Sequence, residues 1–268
     1  MSATTALLLV LAGIGSGLTG SIAGLASLIS YPALLATGIS PISANVTNTV
    51  ALIFSGAGTL HGSRPELRGQ GPLLRKMLLW AVPGGIVGGV LLLLTPSDAF
   101  EKVVPFLIGG AALAVLLRPG PAKGSAVGDV PADQIPHTAA DLDPAPADDG
   151  PPRALLIGTF LVGIYGGYFG AAAGVMLIAL LLGLTGLGLA RASAVRTTVL
   201  TAANAVAAVY FIAFGPVDWL YCLPLALGSL IGGRIGPIVL RHAPAGPLRI
   251  LIALTGLGLA IDLALQAY

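Results

Sequence analysis

Charge is scarce in this sequence: Asp, Glu, Lys and Arg make up only 9% of its 268 residues, whereas about 25% is usual in a soluble domain. So few charges cannot cover the water-exposed surface of a globule of this size, which excludes an ordinary soluble protein. Apolar residues account for 56% of the chain. The net charge of +2, without a basic cluster interleaved with aromatics, argues against a nucleic-acid partner. We therefore expect a lipid bilayer to be the surroundings of the chain.

Residues that bind metals or carry out catalysis are few and scattered. A single cysteine, Cys222, allows no intrachain disulfide, and the three histidines have no metal-ligand spacing. The sequence contains no phosphate-binding loop, no GxSxG elbow and no HExxH motif. We therefore expect no cofactor, no metal and no enzyme activity.

Acidic residues are almost absent from the apolar segments: Glu101 and Asp218 stand at the very start of theirs, and Asp262 lies near the end of the last one. Carriers of protons or cations usually hold Asp or Glu deep in the membrane, so this absence argues against a cation substrate. Because the cytoplasm is negative, expelling one negative charge is favourable by ~2.3 kcal/mol per 100 mV. Export of an anion can therefore run on the membrane potential alone, whereas uptake needs a coupled ion.

The apolar segments predict an all-α integral membrane protein, since a spanning helix needs about 20 mostly apolar residues. Two shorter apolar pieces, Ser27–Thr37 and Ala172–Leu187, are either short spans or re-entrant hairpins. The eight long predicted spans are Ala3–Ala26, Ser43–Gly62, Leu74–Thr95, Phe100–Leu117, Ala154–Ala171, Ala192–Phe214, Val217–Ile235 and Pro247–Ala267.

One stretch differs from the rest of the chain. Residues 118–153 carry six aspartates and many prolines with almost no apolar content, which predicts a disordered cytoplasmic linker. A plain tether is the first interpretation of this linker, and a regulatory or partner-binding role is the second. The linker leaves residues 1–117 and 154–268 as two transmembrane repeats.

The basic residues predict the orientation. If the loop that holds Arg64 and Arg68 is cytoplasmic, alternating spans place 12 of the 13 Lys and Arg on that side, as the positive-inside rule requires. This prediction places both termini outside; it requires both short segments to cross, or both to turn back with the termini inside. No positively charged n-region precedes the first apolar run, so we expect that run to direct insertion into the cell (plasma or inner) membrane as a multi-pass protein.

The two halves resemble each other. Placing Gly17–Ala36 over Gly163–Leu182 without gaps gives seven identities in twenty residues, and the order of elements is the same in both halves. With two residues inserted, Ala44–Thr49 falls on Ala192–Thr197. The charge pattern gives the halves opposite orientations, and such inverted repeats are typical of transporters whose substrate site lies near the midplane.

The third element of each half starts with unusually polar sequence, and on a helix these residues form stripes because positions three and four apart are neighbours. If both stripes line one cavity, their amide, hydroxyl and guanidinium donors replace the hydration of an anion. Interhelical hydrogen bonding is the alternative role for such residues, and for Arg196 it is a side chain that extends to the cytoplasmic interface. The candidate substrate-binding residues are Asn45, Thr47, Asn48 and Thr49 in the first half and Ser193, Arg196, Thr197, Thr201 and Asn204 in the second.

Glycines precede each short apolar piece. Gly20 and Gly24 in the first half, and Gly166 and Gly170 in the second, allow either a break in the helix or close helix packing. A break is tolerated at membrane depth only where the freed backbone groups line a cavity. Tyr31 lies near the first of these breaks, where its hydroxyl faces the site or its ring serves packing.

Taken together, these features resemble the TauE/SafE sulfite exporter family of membrane permeases. The resemblance is carried by residues 17–24, Pro32-Ala33-Leu34-Leu35 and Ala44-Asn45-Val46-Thr47-Asn48, and in the second half by Gly163–Gly174 and Arg191–Thr198. It implies transport of sulfite, sulfonates or related sulfur-containing anions. Asn45, Thr47 and Asn48 match the Asn/Thr-rich motif of the family, whereas the second half departs from that pattern and has Ile178 where the first has Pro32.

We expect a transmembrane permease that exports a small anion, in the first place a sulfur-containing one. The alternatives are an uptake permease for another small anion and a membrane accessory protein that transports nothing. The polar stripes in both halves favour transport. The sequence leaves the oligomeric state open.

Overall fold

The computed structural model describes residues 1–117 and 151–240 and a few isolated residues between 254 and 265. The first two ranges are helical throughout, with short connections and no strand, so the prediction of an all-α chain is confirmed. The predicted linker, apart from its last three residues, and the predicted last span, apart from those isolated residues, lie outside the described residues. The helices are α1 (Ala3–Ala23), α2 (Ser27–Leu35), α3 (Pro41–Gly62), α4 (Arg64–Leu67), α5 (Gly71–Leu94), α6 (Ser97–Leu117), α7 (Arg153–Tyr168), α8 (Ala173–Leu184), α9 (Leu189–Phe214) and α10 (Trp219–Leu240).

Local sequence explains where the first helices begin. Ser2 and Ser40 cap α1 and α3: their side chains accept hydrogen bonds from the backbone N–H groups of Thr5 (3.1 Å) and Ser43 (3.3 Å). Pro41 then occupies the first turn of α3, where its missing N–H costs nothing. Both caps belong to helices that carry residues of the candidate site or lead into it.

The lengths of the helices fit a membrane protein. Among the described residues, the segments long and apolar enough to cross a bilayer by themselves are Ala3–Ile22, Gly71–Leu94, Leu189–Phe214 and Trp219–Val239. The two short apolar pieces of the sequence are the short helices α2 and α8, and α4 is a helical turn that the sequence did not predict. The total of eight long spans stays a prediction.

Three of the helices run side by side in the same direction: α1, α3 and α10. The carbonyl of Val10 in α1 lies against Gly228 of α10, and the carbonyl of Ile14, four residues later, lies against Gly232. Residue numbers rise together along the two helices, so α1 and α10 run in the same direction. Along α3, Gly58 and Gly62 lie beside residues 230 and 234 of α10 in the same way. We call this set the first layer.

The second layer consists of α5, α7 and α9, which are also mutually parallel. Gly84 and Gly88 of α5 lie against the carbonyls of Phe160 and Ile164 of α7. On the neighbouring face of α5, Gly85 and Gly89 lie against Ala203 and Ala207 of α9. Both layers thus pack through glycines that let the helix backbones approach closely.

The two layers meet where α3 crosses α9. Val46 of α3 contacts Gly215 at the end of α9, and Gly56, ten residues later, contacts Thr201. Residue numbers rise along α3 as they fall along α9, so these helices are antiparallel. Each layer takes two helices from one half of the sequence and one from the other, because α10 packs on α1 and α3 while α5 packs on α7 and α9. The two halves are therefore interleaved in space.

The exterior of the described helices is apolar, unlike that of a soluble protein. Leu8, Leu161 and Leu227 on the outside are 61%, 58% and 61% exposed. The interior is mainly apolar as well, but it also holds polar side chains between helices, such as the hydroxyls of Ser16 and Ser229, which lie 3.2 Å apart between α1 and α10. An apolar exterior with hydrogen-bonded polar side chains between the helices is what a lipid environment favours.

Candidate functional site

The first element of the site is a break between α1 and α2. Helix α1 ends at Ala23, and Gly24 has a φ of 76°, in the left-handed region. The N–H of Gly24 donates to the carbonyl of Gly20 (3.0 Å), and the N–H of Leu25 donates to the carbonyl of Thr19 (3.3 Å). Residues 24–26 form this first break, and α2 starts again at Ser27. Gly20 itself stays inside the helix.

A second break lies at the matching place in the other half. Helix α7 ends at Tyr168, and Gly170, which is aligned with Gly24 in the repeat, has a φ of 74°. The N–H groups of Phe169 and Gly170 both donate to the carbonyl of Tyr165, each over 2.9 Å. Residues 169–172 form this second break. Gly166, like Gly20, remains helical.

The two breaks touch each other through glycine backbone. A Cβ atom added to Gly174, in the first turn of α8, would lie 2.7 Å from the Cα of Gly24. A Cβ atom added to Gly24 would lie 2.9 Å from Nη1 of Arg196. Both distances are shorter than real Cβ contacts, so glycine is required at both positions. The breaks of the two halves therefore form one region.

Arg196 lies inside this region. Its side chain is only 1% exposed, and its Nη2 atom donates to the carbonyls of Gly20 and Ser21, each over 3.0 Å. The hydroxyl of Ser193 is 3.5 Å from the same Ser21 carbonyl. These carbonyls belong to the C-terminal end of α1, the negative end of the helix dipole, which attracts a cation. The guanidinium group is thus directed into the protein. A side chain that extended to the cytoplasmic interface would instead be exposed.

Asn45 and Asn48 of α3 contact the breaks from the other side. The amide nitrogen of Asn45 donates to the carbonyl of Tyr168 (2.8 Å), at the end of α7, and that of Asn48 donates to the hydroxyl of Ser27 (3.2 Å), at the start of α2. Both asparagines are 1% exposed. Asn45 therefore binds the end of the broken helix of the opposite half, as Arg196 does from α9.

The neighbouring hydroxyls of the two stripes bond mainly within their own helices. Thr49 donates to the carbonyl of Asn45 (3.0 Å), and Thr197 donates to the carbonyl of Ser193 (2.9 Å). The Thr197 hydroxyl also lies 3.5 Å from Nη2 of Arg196. These two threonines adjoin the site, and none of these hydrogen bonds reaches a residue of either break.

Two other predicted residues face elsewhere. Thr47 accepts a hydrogen bond from the N–H of Asp218 (2.9 Å), so it holds the connection before α10. Thr201 lies against Gly56, where α3 and α9 cross. These contacts serve helix packing, the role that the sequence offered as the alternative for polar residues.

Asn204 lies beside α7, one turn before the second break. Its Oδ1 atom would be 3.7 Å from a Cβ atom added to Gly166, and it has no hydrogen-bond partner in the described part of the chain. Three other buried polar atoms also have no hydrogen-bond partner in the described part of the chain: Oδ1 of Asn45, Oδ1 of Asn48 and the hydroxyl of Tyr31. Buried polar atoms are normally hydrogen-bonded, so each of these four atoms is a candidate contact for a ligand or water.

The short helices α2 and α8 begin at the breaks without side-chain caps. Their N-cap residues, Ala26 and Ala172, offer no side-chain acceptor, and neither first turn contains an acidic residue. The N-terminus of a helix carries partial positive charge, which suits an anion. The acidic residues in the described ranges, Glu66, Asp98, Glu101 and Asp218, lie at or near helix starts. Glu101 follows Phe100, whose ring packs against Tyr168 and Phe169 at the second break. Neither break itself contains an acidic residue.

Sequence reasoning could not find several partners in the site. The carbonyls of Gly20, Ser21 and Tyr168 are backbone groups, which leave no trace in a side-chain pattern. Ser27 accepts from Asn48, and its only sequence signal is its place at the start of the short apolar piece. In the ranges that the structure covers, no group of three or more His, Cys, Asp or Glu side chains could hold a metal ion.

Comparison with known proteins gives consistent relatives. The sequence model of the family described as "Sulfite exporter TauE/SafE" matches residues 9–263. A "Probable membrane transporter protein ORF9" from Sinorhizobium sp is 30% identical over 252 residues, covering 92% of this chain and 88% of that protein.

Two further relatives carry similar names. The "Probable membrane transporter protein YfcA" of Escherichia coli (strain K12) is 28% identical over 82% of this chain and 75% of its own length. A "Probable membrane transporter protein" of Haemophilus influenzae is 29% identical over 81% and 77%. No solved structure matches the chain.

Proposed function

The chain belongs to the sulfite exporter TauE/SafE family and is a membrane permease, and we propose that its substrate is sulfite, a sulfonate or a related small sulfur-containing anion. The pair of adjoining helix breaks, with Arg196 bound at the end of α1, is the observation that carries the choice of an anion. A buried guanidinium and two uncapped helix N-termini supply positive charge where the two layers meet.

The substrate site that we propose comprises the side chains that reach the breaks: Asn45, Asn48, Ser193 and Arg196, with Thr49, Thr197 and Asn204 beside them. Amide and guanidinium N–H groups form charge-assisted hydrogen bonds with oxyanions, which replace the hydration shell that the anion loses on entry. Thr47 and Thr201, which contact Asp218 and Gly56, support the helices around the site.

Two inverted repeats are the architecture that we propose for this permease. The matched left-handed glycines at positions 24 and 170, and the antiparallel course of α3 and its repeat partner α9, support this relation. In the repeat α7 corresponds to α1, and α10 corresponds to α5. The packing of α1 on α10 therefore has its counterpart in the packing of α7 on α5. In transporters with such repeats, rocking of one part against the other exposes the central site to each side in turn.

We expect mutation of Arg196 to test the anion site. Arg196→Gln removes the positive charge, so sulfite flux into proteoliposomes should fall at least about tenfold, the equivalent of ~1.4 kcal/mol of lost interaction. Arg196→Lys keeps the charge but not the planar fork of donors, so its sulfite flux should lie between that of the wild type and that of Arg196→Gln. Thr159→Val is the matched control, because within the described residues the buried Thr159 hydroxyl bonds to the Leu155 carbonyl of its own helix alone (2.7 Å).

The same vesicles test the direction of transport. Export driven by voltage predicts that an imposed potential, negative on the side of the loaded sulfite, accelerates its efflux.

Normal flux in Arg196→Gln, with unchanged protein abundance, would remove the basis of the anion site. Flux that ignores the potential and follows a pH gradient would contradict export by voltage and favour a proton-coupled permease.

A further inference from the structure

The orientation of the Asn45 amide leaves a buried oxygen atom without a donor. Its Nδ2 atom donates to the carbonyl of Tyr168 over 2.8 Å, and reversing the amide would place two acceptor oxygens against each other. Oδ1 is therefore the atom that faces away from the end of α7. It has no hydrogen-bond partner in the described ranges, although the residue is 1% exposed. An orphaned acceptor at such a depth loses its hydration without compensation.

Tyr31 supplies a second orphaned group beside it. The residue is 1% exposed, and its hydroxyl has no partner among the described residues. Its ring packs edge-on against Phe169, with ring centroids 5.3 Å apart, and Phe169 follows the residue that Asn45 binds. The hydroxyl is a donor and an acceptor at once, so a ligand with a hydrogen to donate satisfies it as well.

A closed circuit of contacts connects these groups. Asn45 and Asn48 lie one turn apart on α3, Asn48 bonds to Ser27, and Ser27 lies one turn before Tyr31 on α2. Tyr31 returns to the second break through Phe169. Asn45 and Tyr31, which carry the orphaned atoms, therefore both contact the second break at adjacent residues, Tyr168 and Phe169. The orientation of the Asn48 amide is not fixed in this way, because the Ser27 hydroxyl can either donate or accept. The other end of that amide therefore suits a ligand that donates or one that accepts a hydrogen bond.

A cation is the first alternative for an occupant, since neutral oxygens also bind sodium ions and the carboxylate of Glu101 acts electrostatically on Tyr31. Two other features of the surroundings disfavour it. The N-terminus of α2, with its partial positive charge, begins at Ser27, and the guanidinium of Arg196 bonds to Gly20 and Ser21 just before the same break. A cation would be repelled by both in an environment of low dielectric constant.

We infer that the transported anion carries an O–H or N–H group, which donates to Oδ1 of Asn45 beside the Tyr31 hydroxyl while the negative end of the anion faces Arg196. This inference rests on the proposed function and narrows its substrate class. The substrates that fit are protonated oxyanions, such as hydrogen sulfite, and sulfonates that bear a hydroxyl or amino group. Anions without such a hydrogen leave the acceptor unsatisfied.

The test compares two sulfonates that differ by one hydroxyl group, ethanesulfonate and 2-hydroxyethanesulfonate, in proteoliposomes that contain the full-length protein. At concentrations below saturation, the hydroxylated anion should be transported about tenfold faster, the factor for one hydrogen bond to a buried acceptor. With sulfite as substrate, flux at a fixed total concentration should fall as pH rises, because the singly protonated anion gives way to the dianion.

Two variants connect that preference to the orphaned atoms. Tyr31→Phe breaks no hydrogen bond within the described protein, so its folding should be unchanged while the preference for the hydroxylated sulfonate falls about threefold. Asn45→Leu should abolish the preference; it also removes the bond to Tyr168, so its thermal unfolding in detergent is measured alongside. Thr159→Val, with its hydroxyl bonded inside α7, should keep the wild-type preference.

The outcomes separate the inference from the proposed function. Equal flux of the two sulfonates in the wild type, with sulfite transported, would mean that water alone satisfies the orphaned atoms, and it would overturn the inference while the anion permease stands. A dependence of flux on sodium ions would assign the orphaned atoms to a cation and overturn it too. Absence of flux for every sulfur anion would refute the proposed substrate class and the inference together.

Discussion

At the residue scale, four glycines in the described ranges have left-handed φ values: Gly24, Gly38, Gly69 and Gly170. They fall into two kinds. A Cβ atom added to Gly38 or Gly69 would meet nothing within 4 Å, whereas one added to Gly24 or Gly170 would lie 2.9 Å from neighbouring atoms. The first pair thus requires glycine only for its backbone conformation. At the breaks, conformation and close contact require it together.

We expect Gly24→Ala to be far more harmful than Gly38→Ala. Both changes place an L side chain at positive φ, at a cost of about 1–2 kcal/mol, but only the methyl group added at position 24 would also collide with Gly174 and Arg196. Thermal unfolding in detergent measures the loss of stability, and sulfite flux measures the loss of function. Equal effects of the two substitutions would mean that the breaks do not touch as described.

At the element scale, helix pairing depends on glycine faces. Helix α5 presents Gly84 and Gly88 to α7, and Gly85 and Gly89 to α9. Without a hydrophobic driving force between helices in lipid, close backbone approach and van der Waals packing hold such pairs together. The glycines of α5 therefore fix the position of α7, and with it the place of the second break.

Gly88→Ala should separate α5 from α7. A Cβ atom there would collide with the carbonyl of Ile164, and overpacking of this kind costs about 1–3 kcal/mol. Gly110→Ala in α6 is the matched control, because no atom of the described residues lies within 4 Å of the added atom and alanine favours helix. Unfolding temperatures of the purified variants measure the difference. A Gly88→Ala protein as stable as the control would contradict the tight pairing.

At the scale of the whole molecule, neither half of the sequence contains a complete layer. Helix α5 of the first half has α7 and α9 as its neighbours, and α10 of the second half has α1 and α3. Arg196 and Asn45 add hydrogen bonds between the halves at the two breaks. The substrate site that we propose therefore exists only when both halves are assembled.

Expression of separate halves tests this interdependence. Residues 1–135 and 136–268, produced alone, should each be degraded or fail to transport, since the glycine faces of α5 and α10 would lack partners. Produced together, they should assemble and restore sulfite flux. Transport by either half alone, as a dimer of identical copies, would show that the interleaved arrangement is dispensable.

The sequence by itself determined the environment and the helical class of the protein. Scarce charge and apolar segments of about 20 residues suffice for a bilayer, because backbone polar groups in lipid must be satisfied within helices or closed barrels. The sequence offered Gly20, Gly24, Gly166 and Gly170 for either a helix break or close packing, and the structure gives positive φ to Gly24 and Gly170 and leaves the other two helical. The resemblance of the two halves identified the polar starts of α3 and α9.

Only the tertiary structure decided how the polar residues are used. Asn45 and Thr47 are two positions apart on one helix, yet the first bonds to Tyr168 and the second to Asp218, because residues two apart on a helix face different neighbours. The interleaving of α5 and α10 was equally beyond the sequence. Helix pairing in lipid depends on the shapes of facing surfaces, and the carbonyls that Arg196 binds become available only where α1 stops.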